Sequence, residues 1–478
     1  MFFCFKKRSF LSLEKEGDKL AVSGSDIDVS WSELKQKVDH QVIQLHKKTN
    51  GLTVPVILYG HKEADFIVLI LACLILEIPF VPIDISYPEK RIDKVKQQLK
   101  KGLLVDVASG LITLFGKGEV CSQKNQNDPL TYVIFTSGST GDPKGVQISA
   151  SNVNNFIVWS QESFDLSSKQ VFMNQALLSF DLSIFELVNA LSLGASLVLM
   201  DRKVSLDIEL FKGRFLAYHC NVWVSTPSFA FAFGFDKTFN DKNFPHLDLM
   251  IFCGEVLSRQ LANLLLSHFS NLKLFNTYGP TETTVMVSSI QINRDILNTY
   301  KQLPIGNTNI DCHIDIQNSG IFEGNVTGEL LISGKGVSIG YLNANNDNFT
   351  TNKEGVYYYA TGDMAYQQDN RLFFAGRQDN MIKYNGHRID LGEINHIIEQ
   401  LEDVSNVRTL PLERNGRVIR LVAFIQTSDS SMDIINTYLE HRLPKYMIPS
   451  EYVFHSVFPL THNLKIDSQQ LLKQYMDF

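Results

Sequence analysis

The chain has 478 residues, of which 44% are hydrophobic and 20% are charged. This composition is ordinary for a globular protein, and the length allows two or three structural units. The net charge of −7 argues against a nucleic-acid binder, because a phosphate polymer asks for a basic protein surface.

Cysteine usage and the apolar runs indicate the compartment. The six cysteines form no CxxC pair and the twelve histidines no HExxH cluster, which favours reduced thiols over disulfides or a zinc site. The longest apolar run, Phe66–Leu76, is too short to span a membrane and predicts a buried helix. The N-terminus does not resemble a secretory signal. We therefore expect a cytoplasmic protein without membrane insertion.

Apolar runs typical of strands alternate with helical patterns over the first 300 residues. The strand-like runs are VPVILYG, FVPID, LTYVIFTSG, ASLVLMD, NVWVSTPS, LDLMIFCGE and LKLFNTYG, and the helical ones include LSIFELVNALSLG and LSRQLANLLLSHF. This alternation predicts α/β layers with largely parallel strands. After about Tyr300, shorter strands (HIDIQN, GELLISG, VYYYATGD, RLFFAGR) predict a mixed or antiparallel β subdomain.

A polar, glycine-containing stretch at 376–388 indicates a domain boundary near Asp379. Beyond it, LGEINHIIEQL and MDIINTYLEHRL read as helices, and LVAFIQ reads as a strand. The sequence thus predicts a large N-terminal domain, 1–378, and a small α+β C-terminal domain, 379–478.

The stretch YVIFTSGSTGDPKGVQIS, residues 132–149, carries the first chemical signal. It is not a Walker A loop, because Lys144 is followed by Gly145 instead of Ser or Thr, and it lacks the GxSxG of a serine hydrolase. Glycines, hydroxyls and Lys144 could cradle an anion through converging donors. On composition alone, a plain Ser/Gly turn is an equally good interpretation.

The same loop, TSGSTGDPKG, resembles the signature of the adenylate-forming superfamily, which includes acyl-CoA synthetases, luciferases and amino-acid-activating domains. Further motifs of that superfamily follow in order and extend the resemblance from about Val29 onward. They are FVPIDISYPEKRI upstream, then FDLSIFEL, NTYGPTETT, GELLISGKGVSIGYL, YATGD, GRQDNMIKYNGHRIDLGEI and PLTHNLKID.

The resemblance implies a two-step reaction with ATP and Mg²⁺ as cofactors. A carboxylate attacks the α-phosphate of ATP to give an acyl-adenylate and pyrophosphate, and a thiol then displaces AMP to form a thioester. The resemblance also implies that the small domain is mobile and turns about a hinge at Asp379 between the two steps. By itself, Asp379 is an ordinary linker acid.

The resemblance carries an ATP-binding role to a long set of residues. They are Thr136, Ser137, Gly138, Ser139, Thr140, Gly141, Lys144, Asn276, Thr277, Tyr278, Gly279, Pro280, Thr281, Asp363, Phe374, Ala375, Gly376, Arg377 and Lys465. Among these, the loop from Thr136 to Lys144 would hold the β- and γ-phosphates. Tyr278 would stack near adenine, and Asp363 with Arg377 would lie at the ribose.

Two residues have implied catalytic roles. Glu282 would bind magnesium, and Lys465 would bridge the substrate carboxylate, the phosphate and the ribose. Taken alone, Glu282 is better interpreted as a carboxylate stabilised at a helix N-terminus, and Lys465 as a solvated lysine. Leu464 departs from the superfamily pattern, which usually has glycine before the lysine.

The remaining motifs favour an amino acid as the substrate. Asp181 in FDLS would pair with an α-ammonium group, although an aspartate there could instead cap the following helix. Within the superfamily, NVWVSTPSFA, LDLMIFCGEVL, LKLFNTYGPTETTVMV and LPKYMIPSEYVF resemble the stand-alone ligases that load D-alanine onto a carrier protein. In such a ligase, Cys253 and Val285 would line the small substrate pocket, whereas a cysteine alone is more often a core residue.

The expected function is therefore D-alanine activation and its transfer to a phosphopantetheinylated carrier protein, as in teichoic acid D-alanylation. Nucleic acid is not an expected partner, and the expected oligomeric state is a monomer. Two alternatives stay open at this point. The enzyme could load another small amino acid onto a natural-product carrier, or the chain could be a non-catalytic adenylate-binding relative.

Overall fold

The computed structural model describes residues 17–117, 128–138, 142–308, 311–322, 324–351, 356–377, 381–401, 404–414, 417–427, 432–459 and 466–476. Within these ranges, strands and helices alternate first and antiparallel strands follow.

The strands carry labels in chain order. They are β1 Leu20–Ser23, β2 Asp28–Ser30, β3 Val56–Gly60, β4 Phe80–Asp84, β5 Lys101–Asp106, β6 Leu111–Gly116, β7 Leu130–Thr136, β8 Lys144–Ser149, β9 Val171–Asn174, β10 Ser196–Leu199, β11 Val222–Ser225, β12 Leu249–Phe252, β13 Lys273–Tyr278, β14 Ser288–Ile292, β15 Asn307–Thr308, β16 Cys312–Phe322, β17 Asn325–Gly334, β18 Tyr341–Leu342, β19 Phe349–Thr351, β20 Tyr357–Gln368, β21 Arg371–Arg377, β22 Met381–Tyr384, β23 His387–Asp390, β24 Val404–Arg414, β25 Arg417–Thr427 and β26 Glu451–His455.

The α-helices are labelled in the same way. They are α1 Trp31–Thr49, α2 Ala64–Leu76, α3 Glu89–Leu99, α4 Ala150–Ser163, α5 Leu182–Leu193, α6 Arg202–Leu206, α7 Ile208–Ala217, α8 Pro227–Gly234, α9 Arg259–His268, α10 Arg294–Thr299, α11 Leu391–Ile398, α12 Met432–Glu440 and α13 Ser468–Met476, and the 3₁₀ turns are Thr281–Thr283 and Lys445–Met447.

The described residues fall into two compact units. The first unit lies within Met1–Ile85, Lys96–Phe135 and Gly145–Gln378. The second lies within Ser86–Val95, Thr136–Lys144 and Asp379–Phe478. Two segments from the N-terminal half therefore belong to the same compact unit as the C-terminal residues.

Two large sheets form the α/β part of the first unit. The nine-stranded sheet has the order β15-β14-β13-β12-β11-β9-β10-β1-β2, and its central pairs, from β13 to β1, are parallel. The seven-stranded sheet has the order β18-β8-β7-β4-β3-β5-β6, with parallel pairs among β3, β4, β5 and β7. The largely parallel α/β layers predicted from the alternating runs are confirmed.

The β subdomain is a five-stranded sheet of β16, β17, β20, β19 and β21, all paired antiparallel. The antiparallel prediction is correct, but the strands are longer than expected. Strands β16, β17 and β20 span 11, 10 and 12 residues. The prediction of short strands was wrong because bulges, as between Asn318 and Gly320, interrupt the alternation from which strand length was read.

Helix α2 is apolar around its whole circumference, which predicts a helix buried on every side. Its residues from Phe66 to Cys73 are buried in the main hydrophobic core of the first unit. Within the described part of the chain, no helix is both long and apolar enough to cross a membrane.

The second unit has its own core. A three-stranded sheet, β24-β25-β26, and the hairpin β22–β23 accompany helices α11, α12 and α13. Buried apolar residues from α11 and β25, such as Ile394 and Ala423, form a separate hydrophobic cluster. The α+β character predicted for the C-terminal residues is therefore observed.

Candidate active site

Several predicted site residues lie at one edge of the nine-stranded sheet. Asp181 comes at the end of the loop that follows β9, Cys253 follows β12 directly, and Tyr278 ends β13. Strands β9, β11, β12 and β13 are parallel neighbours, so their carboxyl ends share an edge. In open α/β sheets this edge is where ligands bind.

Tyr278, Asp363 and Arg377 form one buried cluster in the first unit. The Tyr278 hydroxyl donates to Asp363 Oδ2 at 2.6 Å. Arg377 forms an ion pair with the other oxygen, Asp363 Oδ1, and its Nη2 donates to the Thr361 carbonyl at 3.0 Å. The antiparallel register of β20 and β21 places Asp363 opposite Arg377. The arginine charge therefore compensates the buried carboxylate.

The environment of Tyr278 keeps its hydroxyl protonated. Burial, the negative charge of Asp363 and the hydrogen bond to Asp363 together raise the pKa of Tyr278 well above its usual value. A protonated phenol remains a donor to Asp363 at every physiological pH. The result is a fixed carboxylate with lone pairs left for further donors, which suits the two neighbouring hydroxyls of a ribose.

The segment from Asn276 to Thr281 is fixed by backbone and side-chain contacts. Asn276 Nδ2 donates to the Pro304 carbonyl at 2.7 Å, and Thr277 Oγ1 donates to the Phe252 carbonyl at 2.8 Å. A Cβ on Gly279 would lie 2.4 Å from the Met286 Cα, so only glycine fits. Pro280 precedes the 3₁₀ turn, and Thr281 is its first residue. Phe374, Ala375 and Gly376 lie on β21 just before Arg377.

Glu282 stands in the 3₁₀ turn and is 1% exposed. Its Oε1 accepts a hydrogen bond of 2.6 Å from the Tyr341 hydroxyl, and its carbonyl accepts one of 2.8 Å from the Ser338 amide. Sequence reasoning gave Tyr341 no role, although it lies inside the quoted motif GELLISGKGVSIGYL. The aromatic residue at the end of that motif was the available signal.

The surroundings of Glu282 fit magnesium carried by a nucleotide. Among the described residues, no three His, Cys, Asp or Glu side chains cluster as a metal cage. Mg²⁺ bound with ATP typically takes one or two carboxylates, with phosphates and water as its other ligands. A single carboxylate oriented by Tyr341 meets that requirement.

Cys253 and Val285 are in contact. The Cys253 thiol lies 3.9 Å from the Val285 carbonyl oxygen, and both side chains are buried. Thr284 and Val285 have φ angles of 62° and 70°, in the left-handed region that a β-branched residue rarely adopts. The backbone is therefore strained where it passes Cys253.

Asp181 is 6% exposed and precedes α5. Its side chain makes no capping hydrogen bond to the helix, and its backbone has φ −60° and ψ −26° instead of the extended conformation usual for an N-cap. The capping interpretation is therefore wrong. Burial, and then the negative charge of the neighbouring Asp181, raise the pKa of the Tyr132 phenol well above its usual value.

The predicted loop residues Thr136, Ser137, Gly138 and Lys144 belong to the second unit. Thr136 Oγ1 lies 3.4 Å from the Lys144 carbonyl. Ser137 Oγ donates to the Arg388 carbonyl at 2.9 Å and accepts from the Asp390 amide at 3.1 Å. These two hydrogen bonds hold the loop at strand β23, directly before α11.

A buried ion pair beside the loop was missed by sequence reasoning. Arg91 Nη1 lies 2.8 Å from Glu393 Oε1, and both side chains are at most 3% exposed. The second oxygen, Glu393 Oε2, accepts the Gly138 amide at 3.3 Å. Burial acts to lower the pKa of Arg91, but the charge of Glu393 and its hydrogen bond contribute to a net rise above the usual value. Both residues lie inside the motifs named above, but nothing in those motifs indicates which opposite charges pair across the chain.

Some predicted residues lie outside the described part of the chain. They are Ser139, Thr140 and Gly141 of the loop, the hinge residue Asp379, and the catalytic Lys465 with the preceding Leu464. Their roles stay predictions.

The chain is similar to known proteins over most of its length. The family model for the AMP-binding enzyme matches residues 10–342. The chain is 34% identical to the D-alanine–D-alanyl carrier protein ligase of Bacillus licheniformis, over 96% of this chain and 97% of that protein. It is 35% identical to the enzyme of the same name from Listeria monocytogenes serotype 4b, over 93% of each chain.

The fold also matches solved structures. The Vibrio cholerae adenylation domain AlmE in complex with glycyl-adenosine-5′-phosphate superimposes with a TM-score of 0.85, at 20% identity over 99% of this chain and 98% of that one. That identity establishes the shared fold alone. The family match and the relatives that align along nearly the whole chain show that the chain belongs to the AMP-binding enzyme family of the adenylate-forming superfamily.

Proposed function

We propose that this enzyme activates D-alanine with ATP and transfers it to the phosphopantetheine thiol of a carrier protein. The observation that carries the amino-acid part is Asp181, a buried carboxylate at a helix start that does not cap the helix. A carboxylate at the substrate edge of the sheet can pair with a cation, and the α-ammonium group of an amino acid is such a cation.

The choice of D-alanine is supported by the names of relatives that match along nearly the full chain. We further propose that Cys253 and Val285, which are in contact, line a small pocket that suits a methyl side chain. A pocket discriminates between substrates that differ by one methylene only about 10–200-fold. The identity of the amino acid therefore has to be tested directly.

The first step joins the amino acid to AMP. A carboxylate oxygen of the amino acid attacks the α-phosphorus, the bond from that phosphorus to the bridging oxygen breaks, and pyrophosphate leaves. Asp363 would accept the ribose hydroxyls while Arg377 balances its charge. Lys465 would bridge the reacting groups, and the loop from Thr136 to Lys144 would hold the β- and γ-phosphates. These donors act where negative charge develops.

Magnesium would be held by Glu282 together with the phosphates of ATP. When bound, Mg²⁺ neutralises charge on the phosphate oxygens. Tyr341 would keep the Glu282 carboxylate in one orientation through its hydrogen bond.

The second step forms the thioester. The thiol sulfur attacks the carbonyl carbon of the aminoacyl-adenylate, the bond from that carbon to the AMP oxygen breaks, and the thiol proton passes to solvent. We propose that residues 1–378 bind ATP and the amino acid, and that residues 379–478, carrying Lys465, turn about Asp379 between the steps. We place the reaction in the cytoplasm, where ATP and carrier proteins meet, and propose a monomer.

The test is amino-acid-dependent exchange of pyrophosphate into ATP with D-alanine, L-alanine, glycine, serine and larger amino acids. We expect D-alanine to give the highest rate and Lys465→Ala to abolish it. Asp181→Ala should raise the KM for the amino acid far more than the KM for ATP. A higher rate with another amino acid would overturn the D-alanine assignment, and no exchange with any of them would overturn amino-acid activation.

A further inference from the structure

Lys62 is a fully buried lysine outside the residues assigned so far. It follows β3 and has 0% of its surface exposed. Lysine is almost never fully buried unless its ammonium group is paired, because removing a charge from water is costly. The position therefore calls for a reason beyond packing.

The Lys62 ammonium group holds the start of the loop that leads to Asp181. Its Nζ donates to the Ala176 carbonyl at 2.6 Å and lies 3.3 Å from the Asn174 carbonyl. It also donates to Asn174 Oδ1. Three donors thus meet three acceptors, all at the carboxyl end of β9 and in the first residues after it.

Asn174 connects Lys62 to the far end of the same loop, where α5 begins. Its Nδ2 lies 3.3 Å from the Ser183 carbonyl in the first turn of α5. Ser183 Oγ in turn donates to the Phe180 carbonyl at 2.8 Å. Asp181 stands between Phe180 and Ser183, so its backbone is fixed by a network that begins at Lys62.

Burial opposes the charged form of this lysine. Burial lowers the pKa of Lys62 to about 7, although Glu186 and Asp84 act in the opposite direction. Burial also raises the pKa of Glu186, on α5, well above its usual value, against the charge of Lys62. The three oxygen acceptors around the Lys62 Nζ offset this cost of burial.

We propose that Lys62 is a positioning residue for amino-acid recognition, which holds the segment 175–181 so that Asp181 meets the α-ammonium group. This inference rests on the proposed function, because it concerns the same substrate. Lys62 would not touch the substrate itself. It would act through Asn174 and the backbone of the loop.

The experiment replaces Lys62 by methionine, which keeps the length of the side chain and removes all three donors. Pyrophosphate exchange is measured while D-alanine and ATP are varied separately. We expect the KM for D-alanine to rise about tenfold or more and the KM for ATP to change by less than about twofold.

Lys19→Met is the matched control. Lys19 Nζ also donates to two carbonyls, those of Ser168 at 2.5 Å and Gly194 at 2.6 Å, but Gly194 lies at the opposite end of α5. We expect Lys19→Met to lower the melting temperature without a selective rise in the KM for D-alanine.

A second variant keeps the proposal testable if Lys62→Met does not fold. Asn174→Ala retains Lys62 but removes the link to Ser183, and the same selective rise is expected. Equal changes in both KM values, or the Lys19→Met pattern, would overturn the role of Lys62. If the unaltered enzyme shows no amino-acid-dependent exchange, the proposed function fails instead, so the two failures are distinguishable.

Discussion

The cluster of Tyr278, Asp363 and Arg377 in the first unit differs from the loop at Ser137 and Gly138 in the second. In the cluster, residues that the sequence assigned to one ligand bind one another. In the loop, the assigned residues bind groups without an assigned role, such as Glu393. A transferred motif therefore assigns an expected ligand to a residue, but it does not indicate which protein groups hold that residue.

Substitutions in the two regions are therefore expected to have different effects. A change in the cluster removes a carboxylate proposed to meet the ribose, so we expect it to act on catalysis. A change beside the loop can break the buried ion pair of Arg91 and Glu393. We expect such a change to act first on the free energy of unfolding. Four predictions test this contrast.

The largest effect is expected for Arg91→Gln, which leaves Glu393 buried without its cation. Removing one partner of a buried ion pair costs about 3–5 kcal/mol of unfolding free energy. Urea unfolding followed by circular dichroism measures it. Lys35→Gln is the control, because Lys35 pairs with Asp39 at 2.8 Å with both side chains well exposed, and such a pair contributes less than about 1 kcal/mol. Equal losses of unfolding free energy in the two variants would contradict a stabilising role for the Arg91–Glu393 ion pair.

The next effect is expected for Asp363→Asn, on catalysis. Loss of a buried carboxylate that binds Arg377 and is proposed to bind the ribose should lower kcat/KM for ATP roughly 100-fold. Pyrophosphate exchange at varied ATP measures this. Asp315→Asn, at an exposed position on β16 of the same subdomain, should leave kcat/KM unchanged. A similar loss in both variants would remove the special role of Asp363.

A smaller effect is expected for Tyr341→Phe, through Glu282. Without the 2.6 Å hydrogen bond, the carboxylate is less well oriented, and groups that orient metal ligands contribute about 10–100-fold in metal affinity. The Mg²⁺ concentration for half-maximal exchange should rise by about tenfold. Tyr359→Phe should have a weaker effect, because the Tyr359 hydroxyl lies 3.3 Å from that of Tyr341. An unchanged Mg²⁺ requirement in Tyr341→Phe would argue against Glu282 as the metal ligand.

The smallest effect is expected for Ser137→Ala. Its hydroxyl makes two hydrogen bonds to the backbone at Arg388 and Asp390, and a typical net loss is about 1 kcal/mol. Urea unfolding again measures the change. Ser405→Ala removes an exposed hydrogen bond of 3.0 Å in the same unit and should cost less. A larger loss of unfolding free energy for Ser405→Ala would contradict the stabilising role of the Ser137 hydroxyl.

Much of the fold could be predicted because apolar runs report burial directly. Phe66–Leu76 predicted a buried helix, and α2 ends at the same Leu76. Strand runs such as FVPID coincide with β4. Pairing across the chain could not be predicted, because Arg91 and Glu393 are 302 residues apart and periodicity carries no information at that separation.

The candidate site was predicted in part. Motif resemblance named Tyr278 and Asp363, which the structure brings within hydrogen-bonding distance. It did not name Tyr341 or Lys62. A lysine is expected at the surface by composition, and only the folded chain shows that Lys62 is enclosed by carbonyl groups.

The left-handed conformation at Val285 has an evolutionary consequence. A β-branched residue at φ 70° costs about 1–3 kcal/mol, and glycine would adopt the same backbone without that strain. Most substitutions that enlarge a binding pocket destabilise the protein, because they leave a cavity. At Val285 the relief of strain would offset that loss. We propose that Val285 lines the substrate pocket, and position 285 is then a site where substrate range could broaden in a lineage while the fold keeps its thermal tolerance.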